Sequence, residues 1–372
     1  MRRLPVVLIL IALLSPAPTT ATATTSIRVG FLREQEQVTV MSDRAIEIHP
    51  PGGPARQLPP GAHEIRPGAS GIVLPGLGEL TGPVRLIPSP GARLYVAIRP
   101  YRGILEVRRT PSGRLTVINE LDLEEYLYGV LKMEVDPRWP AEALKAQAVA
   151  ARTLAIYSLG RFRAEGYDVR ATTESQVYGG LAVEDPRTTA AVDATRGEVV
   201  TYQGRPILAV YHSDSGGATE SSEYVWGGRY PYLRGVPDPY TSAAPWTLRM
   251  GLSELEGRLR RAGLGVSAIT GVDVADVTPS GRARTVRITS ASGTVVVRAT
   301  DLRGLIGTEV MKSTLFAVRL FAGDEPWVEF SGRGSGHGVG LSQWGARGQA
   351  LAGASYADIL RYYYSGVTIE SR

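Results

Sequence analysis

Glu134 is the carboxylate whose placement in this sequence best suits acid–base chemistry. Four apolar residues precede it at helical spacing and share one face of a predicted helix with it: Leu123, Leu127, Val130 and Leu131. Glu134 also ends that helix, where the helix dipole disfavours a negative charge. Burial acts in the same direction, and both effects raise the pKa of a carboxyl group toward the range of a general acid. The alternative is a surface glutamate at a fraying helix end.

Arg152 is the predicted partner of this carboxylate. It shares a face of a second predicted helix with Leu144, Ala148 and Ala155, so its guanidinium points inward. It could pair with a carboxylate or donate hydrogen bonds to a substrate oxygen. A purely structural salt bridge is the alternative, and the sequence leaves both open.

Two glycine-rich clusters carry further polar side chains. The first, YHSDSGG at residues 211–217, resembles the nucleophile segment of trypsin-like serine proteases around Ser215. That family has glycine where this chain has Ser213, and its histidine segment is absent here. A glycine-rich turn that carries polar side chains into a cleft is therefore favoured. In the second cluster, residues 332–340, alternate glycines allow close backbone approach to a ligand and place His337 at the start of a helix.

The composition excludes several classes of site and partner. The chain has no cysteine, which excludes disulfides, cysteine-liganded zinc and thiol catalysis. Its histidines are widely spaced, so a metal site at His212, His337 and a carboxylate would form only if the fold joined them; we expect no metal and no cofactor. The net charge of +5 favours an anionic partner, but the basic residues are scattered, so no nucleic acid is expected.

The first 23 residues have the pattern of a secretory signal peptide. Arg2 and Arg3 precede an apolar stretch at residues 4–14, and an A-x-A cleavage motif follows at residues 21–23. A bilayer span needs about 20 apolar residues, so this stretch is short for an anchor, although an uncleaved anchor is the alternative. No later segment reaches 18 apolar residues. We therefore expect an exported, extracytoplasmic protein with no stable membrane span beyond this segment.

The remaining sequence divides into four predicted parts. Residues 24–102 are rich in short strands, proline and glycine, and predict a β-rich N-terminal module. Residues 103–240 predict a strand pair followed by helices at 123–134, capped by Asp122, and at 141–160. Residues 241–330 predict an insertion with a helix at 253–262, capped by Ser253, and a β-hairpin. Residues 331–372 predict a glycine-rich loop at 331–340, a helix at 341–351 and a last helix capped by Ser355.

Six ordered segments resemble the SpoIID/LytB family, which comprises stage II sporulation protein D and its amidase-enhancer relatives. The segments are LEEYLYGVLKME (123–134), PAEALKAQAVAART (140–153), SQVYG (175–179), HSDSGGAT (212–219), KSTLF (312–316) and GHGVGLSQWGA (336–346). The resemblance covers residues 103–369. It implies an α+β fold in which the β-rich module precedes a mixed α/β catalytic region, with a cleft formed by the middle and C-terminal segments.

The resemblance also implies a function and a set of site residues. Stage II sporulation protein D is a lytic transglycosylase that cuts peptidoglycan glycan strands between N-acetylmuramic acid and N-acetylglucosamine, preferring strands stripped of stem peptides. Its catalytic glutamate corresponds to Glu134. Candidates for substrate binding or orientation are Arg152, Ser175, Gln176, Tyr178, His212, Ser213, Ser215, His337 and Gln343. Tyr178 and Trp344 could stack on sugar rings or pack in the core.

Three alternatives follow from these residues. One strong carboxylate fits a transglycosylase, in which Glu134 serves as acid and then as base. A hydrolase would need a second carboxylate, such as Glu174. A noncatalytic amidase enhancer would bind the cell wall and stimulate an N-acetylmuramoyl-L-alanine amidase. The family name does not by itself establish a role in sporulation.

Overall fold

The computed structural model describes residues 25–372, and the predicted signal peptide at residues 1–23 lies outside them. The first part is made of strands alone: β1 (Ser26–Gln35), β2 (Val38–Ser42), β3 (Ile46–His49), β4 (Arg56–Leu58), β5 (Gly61–Pro67), β6 (Gly71–Leu74), β7 (Gly78–Thr81), β8 (Val84–Pro88), β9 (Leu94–Val96), β10 (Arg99–Tyr101), β11 (Ile104–Arg109) and β12 (Leu115–Asp122).

Helices and short strands alternate in the middle of the chain. They are α1 (Leu123–Glu134), α2 (Ala141–Tyr157), β13 (Val169–Arg170), α3 (Pro186–Ala194), β14 (Glu198–Tyr202), β15 (Arg205–Pro206), β16 (Tyr211–His212) and α4 (Ser222–Trp226). Short 3-10 helices cover Arg163–Glu165 and Leu181–Val183.

The remaining elements form an insertion and a C-terminal segment. The insertion contains β17 (Pro245–Gly251), α5 (Leu252–Arg261), β18 (Ile269–Val277), β19 (Ala283–Ser290), β20 (Gly293–Arg298), α6 (Ala299–Ile306), β21 (Phe316–Phe321) and β22 (Trp327–Arg333). The C-terminal segment contains β23 (Leu341–Ser342), α7 (Gln343–Leu351), α8 (Tyr356–Tyr363) and β24 (Thr368–Ser371). The α+β prediction is confirmed.

The N-terminal strands form two sheets that face one core. Their order is β13-β1-β12-β11-β8-β3-β4 in one sheet and β10-β9-β2-β5-β6-β7 in the other. Alternation along β2 shows why they pack, since Val38 and Val40 are buried while Thr39 and Met41 are exposed. Strands from both sides of residue 102 share the first sheet. The predicted β-rich module and the beginning of the predicted catalytic region are therefore continuous in structure.

Helix α1 follows this sheet directly and ends at Glu134. The Asp122 side chain caps it by accepting hydrogen bonds from the backbone N–H groups of Glu124 and Glu125. Val135 has an extended conformation and ends the helix shortly before Pro137. Helix α2 is alanine-rich, and its small side chains allow close packing against α1, α3 and the C-terminal helices. These two helices fix the base of the site described below.

The insertion has a core of its own. Sheet β17-β22-β21 and sheet β18-β19-β20 pack with α5 and α6 around Leu255, Val286, Leu302 and Phe330. The predicted cap at Ser253 is wrong. Strand β17 leads directly into α5, which begins at Leu252 with Gly251 as its N-cap, so Ser253 lies inside the first turn of the helix. The hairpin between β18 and β19 reaches back to the middle of the chain.

The C-terminal segment completes the middle region. β23 pairs in parallel with β16, and β24 pairs antiparallel with β14, so the two segments share both small sheets. The predicted helix at 341–351 begins two residues late, at Gln343, because Ser342 caps it and residues 341–342 are in the strand. The predicted loop at 331–340 begins late as well, since β22 continues to Arg333. Among residues 25–372 no helix has the length and apolar character to cross a membrane.

Candidate active site

The end of α1 opens into a cleft of about 920 Å³ built from the middle region, the insertion and the C-terminal segment. Seven of the residues selected from the sequence line this cleft: Glu134, Ser175, Gln176, His212, Ser213, His337 and Gln343. Arg152, Tyr178 and Ser215 do not line it. The fold therefore brings together side chains that are separated by more than half the chain.

Glu134 is half-buried at the floor of the cleft. Its Oε1 accepts a hydrogen bond of 3.4 Å from the backbone N–H of Val177, and the side chains of Gln343 and Tyr211 lie close enough to the carboxyl group to lower its pKa. Burial raises the pKa of Glu134 above its ordinary value, and the three donors only partly offset that effect. The direction agrees with the expectation from the sequence. No ion pair within 4 Å among residues 25–372 includes Glu134.

Tyr211 connects Glu134 to a hydrogen-bond chain. The amide Nε2 of Gln176 donates to the Tyr211 hydroxyl at 2.9 Å and to the carbonyl of Ala151 at 3.2 Å. The Oε1 of Gln176 accepts from Tyr126 at 3.2 Å. Because the Tyr211 oxygen already accepts a hydrogen bond from Gln176, its own O–H remains available to donate toward the nearby Glu134 carboxyl group. Burial raises the pKa of Tyr211 well above its usual value and keeps it protonated.

The backbone of Val339 orients the two histidines of the cleft. The carbonyl of Val339 lies 3.1 Å from His212 Nδ1, and the N–H of Val339 donates to His337 Nδ1 at 3.0 Å. The proton of neutral His212 is therefore on Nδ1, and that of neutral His337 is on Nε2. Burial lowers the pKa of His212 well below its usual value and that of His337 to about 4. Both rings are neutral at physiological pH.

Aromatic side chains form part of the cleft rim. The ring of Trp226 lies 5.1 Å from that of His337, and 44% of Trp226 is exposed. Tyr157 and Tyr230 also line the cleft. An exposed aromatic ring beside polar side chains is suited to stacking on the apolar face of a sugar.

Arg152 is buried away from the cleft. Its Nε and Nη2 donate to the two carboxylate oxygens of Glu124 at 2.8 and 2.6 Å, and its remaining donors bind carbonyls of Val192 and Glu198. Only 1% of the residue is exposed. This position favours the structural salt bridge, one of the two roles left open by the sequence, over contact with a substrate.

Tyr178 and Ser215 are also buried in the protein. The Tyr178 hydroxyl donates to Asn119 at 2.7 Å, and its ring packs 5.2 Å from Tyr126. The Ser215 hydroxyl donates to Asp238 at 2.7 Å and is fully buried, so it is not available as a protease nucleophile. Trp344 packs 5.2 Å from Trp139 and lies outside the cleft lining.

The second carboxylate in the cleft differs from Glu134. Glu174 is exposed and forms a two-pronged ion pair with Arg170 at 2.7 and 2.8 Å. The Arg170 guanidinium holds the pKa of Glu174 below its usual value. Glu174 is therefore ionised at neutral pH, whereas Glu134 is biased toward the protonated form. Residues 25–372 contain no group of three or more histidine and acidic side chains that could hold a metal ion.

Several cleft residues were not identified from the sequence. Tyr211, Trp226 and Arg303 line the cleft but were not proposed as site residues. Tyr211 lies next to His212 in a quoted motif, and this adjacency was the available signal. Trp226 and Arg303 lie outside the motifs, and nothing in their local sequence indicates their neighbours.

Comparisons with known proteins agree with this architecture. A family model described as Stage II sporulation protein matches residues 111–202, which include Glu134 and Gln176. A second model, described as a domain of unknown function, matches residues 242–340, which include Arg303 and His337.

Several curated proteins are similar to this chain over about two thirds of its length. An uncharacterized protein of Brachyspira hyodysenteriae is 37% identical over 261 residues, covering 69% of this chain and 69% of that protein. Stage II sporulation protein D of Bacillus amyloliquefaciens is 31% identical over 269 residues, covering 68% and 75%. The amidase enhancer of Bacillus subtilis is 33% identical over 293 residues, covering 66% of this chain but 40% of that protein. The chain belongs to the SpoIID/LytB family, as the sequence motifs predicted.

Proposed function

We propose that this protein is a peptidoglycan lytic transglycosylase that cleaves the bond between N-acetylmuramic acid and N-acetylglucosamine outside the cytoplasm. One observation carries the proposal. Glu134 is a half-buried carboxyl group with a raised pKa, it lines a large cleft, and it has no ion-pair partner among residues 25–372. These are the properties of a general acid near neutral pH.

The proposed reaction uses Glu134 twice. Its carboxyl proton passes to the glycosidic oxygen as the bond from that oxygen to the muramoyl C1 breaks. The muramoyl 6-hydroxyl then attacks C1, and its proton returns to the Glu134 carboxylate. The product is a 1,6-anhydro sugar, Glu134 is regenerated, and no water is consumed. The Tyr211 hydroxyl, the Gln343 side chain and the Val177 N–H hold the carboxylate while positive charge develops at C1.

The state of Glu174 supports the one-carboxylate reaction over hydrolysis. A hydrolase of the usual type needs two carboxyl groups, one as acid and the other as base or nucleophile. Glu174 is held by Arg170 through both oxygens, which reduces its capacity to activate water. Hydrolysis would leave ordinary reducing ends on the cleaved strands.

The test is digestion of glycan strands that an amidase has stripped of peptides, followed by mass spectrometry. We expect anhydro-muramoyl ends with the unchanged protein and a loss of activity of about 10²- to 10⁴-fold for Glu134→Gln, the usual contribution of a general acid. Glu174→Gln should still yield anhydro ends. Undiminished activity of Glu134→Gln would refute the role of Glu134. Reducing ends that disappear in Glu174→Gln would instead establish hydrolysis.

A second candidate function is stimulation of an amidase without catalysis. The similarity to a protein named amidase enhancer favours it, and the partner would be an N-acetylmuramoyl-L-alanine amidase bound at the cell wall. In this case the protein alone would leave glycan strands intact, and release of peptides by an added amidase would accelerate equally with the unchanged protein and with Glu134→Gln.

A further inference from the structure

The insertion contributes a cation to the cleft wall. Arg303 lies on α6 and lines the cleft together with Thr308, Trp226 and His337. Its positive charge is close enough to His337 to help lower the pKa of that ring. The part of the chain that matches a domain of unknown function therefore forms one side of the candidate active site.

The Arg303 guanidinium is fixed in place by backbone carbonyls and forms no ion pair within 4 Å among residues 25–372, although the charge of Glu309 is near enough to offset part of the effect of burial on its pKa. Its Nε donates to the carbonyl of Met311 at 2.8 Å, and its Nη2 donates to the carbonyls of Lys312 and Thr308 at 3.1 and 3.4 Å. Within residues 25–372 its hydrogen bonds all go through these two nitrogens, and no ion pair within 4 Å includes it. Nη1 therefore remains as a donor on a rigidly held cation.

A second arginine of the insertion lies behind the same wall. Only 1% of Arg282 is exposed, and its Nη2 donates to the carbonyls of Ser215 and Ala218 at 2.5 and 3.1 Å. Its Nε and Nη1 are buried without a hydrogen-bond partner in the described residues. Gly338 lies directly against the guanidinium, where a Cβ atom would come within 2.8 Å of it. Nothing larger than glycine fits between Arg282 and the loop that carries His337.

The nearby carboxylates do not neutralise this wall by direct contact. Glu220 accepts hydrogen bonds from Thr278 and Ser280, and Asp214 accepts them from Thr241 and Ser242. Glu309 is the acidic side chain whose charge acts on Arg303. None of these three carboxylates forms an ion pair with Arg282 or Arg303 within 4 Å. The carboxylates therefore offset the charge of the two arginines only from a distance, and both arginines still act as positive charges on His337.

We propose that the insertion supplies the cleft with a subsite for a carboxylate of the substrate, which Arg303 binds through Nη1 while Arg282 adds positive potential from behind. The inference rests on the proposed function for the identity of the ligand. In a glycan strand the available carboxylate is that of the muramoyl lactyl group, which is charged when free and neutral when it is in an amide bond. Arg303 is accordingly a specificity residue that distinguishes the charged from the neutral group.

The test compares muramoyl oligosaccharides of one length whose lactyl groups are either free carboxylates or primary carboxamides. Calorimetry with the full chain carrying Glu134→Gln measures binding without turnover. We expect the carboxylate form to bind roughly ten- to hundredfold more tightly, which is the range of one charge-assisted hydrogen bond. Adding Arg303→Gln should make the affinities for the two oligosaccharides equal. Arg303→Lys should retain part of the preference for the carboxylate form. Arg319→Gln, an exposed arginine of the insertion outside the cleft, is the matched control and should retain all of it.

Two outcomes overturn the proposal in distinguishable ways. Equal binding of both oligosaccharides to the protein with Arg303 intact refutes the carboxylate subsite and leaves the proposed function standing. If neither oligosaccharide binds, both the carboxylate subsite and the proposed function are refuted. Thermal unfolding of each variant shows whether it is folded. If an Arg303 variant does not fold, the comparison of the two oligosaccharides on the protein with Arg303 intact still decides the question.

Discussion

Glu134 is held where its ionised form is disfavoured, so its protonation state affects stability as well as chemistry. A carboxyl group whose pKa is higher in the folded than in the unfolded chain contributes stability that is fully present below the unfolded pKa. This contribution is lost as the pH rises through the raised pKa. A residue suited to proton donation therefore makes the folded protein less stable at neutral and alkaline pH.

The first prediction concerns Glu134→Gln. Because glutamine cannot ionise, this variant should gain stability relative to the unchanged protein as the pH increases from 4 to 8. Calorimetric unfolding at several pH values measures the difference in Tm. A difference that is independent of pH would contradict the raised pKa.

The second prediction concerns Tyr211→Phe. The Tyr211 hydroxyl favours the ionised form of Glu134 and lowers its pKa, so removal of the hydroxyl should raise that pKa further. The carboxyl group would then stay protonated to higher pH, and the alkaline limb of the kcat/KM profile on stripped strands should move upward. Tyr224→Phe, outside the cleft lining, is the control and should leave the limb in place. A downward shift in Tyr211→Phe would contradict the proposed hydrogen bond.

At the scale of elements, α1 and α2 are joined by the buried pair of Glu124 and Arg152. Arg152 also binds carbonyls at the end of α3 and the start of β14, so one side chain connects four elements. Removing one member of a buried ion pair leaves the other uncompensated in a medium of low polarity.

The third prediction follows from that pair. Arg152→Met should destabilise the protein by about 3–5 kcal/mol, the usual cost of breaking a buried pair. The double variant with Glu124→Gln should recover part of the loss, because no charge remains unpaired. Denaturant unfolding measures both, and the KM of the folded fraction should be unchanged. A stable Arg152→Met with a greatly increased KM would instead support substrate binding by Arg152.

Local signals in the sequence were sufficient for some elements and insufficient for others. Asp122 and the proline after Glu134 fixed both ends of α1, because capping and termination depend on adjacent residues. The predicted cap at Ser253 was wrong, because β17 continues into α5 and the helix begins before the serine, with Gly251 as its N-cap. The inward face of Arg152 was predicted, but its choice of Glu124 as partner depends on how α1 packs against α2.

At the scale of the whole molecule, the sequence identified cleft residues where these lie in motifs. Glu134, Gln176, His212 and Gln343 all belong to the segments that resemble the family, and all line the cleft. Arg303 was missed, because its position depends on an insertion folding against a distant loop. The seven-stranded sheet was missed for the same reason, since β11 and β12 are inserted between β1 and β8 and only long-range pairing determines that order.

The separation between residue 134 and residues 337 and 343 has a consequence for the order of events during synthesis. A ribosome releases a chain from its N-terminus, and structure forms as segments become available. A nascent chain that has emerged only to residue 330 contains Glu134 and Tyr211 but lacks His337 and Gln343, and β16 still lacks its partner strand. The pocket around the carboxyl group therefore comes into existence only after residue 343 has emerged. Prematurely terminated chains carry Glu134 without the C-terminal side chains that surround it in the folded protein.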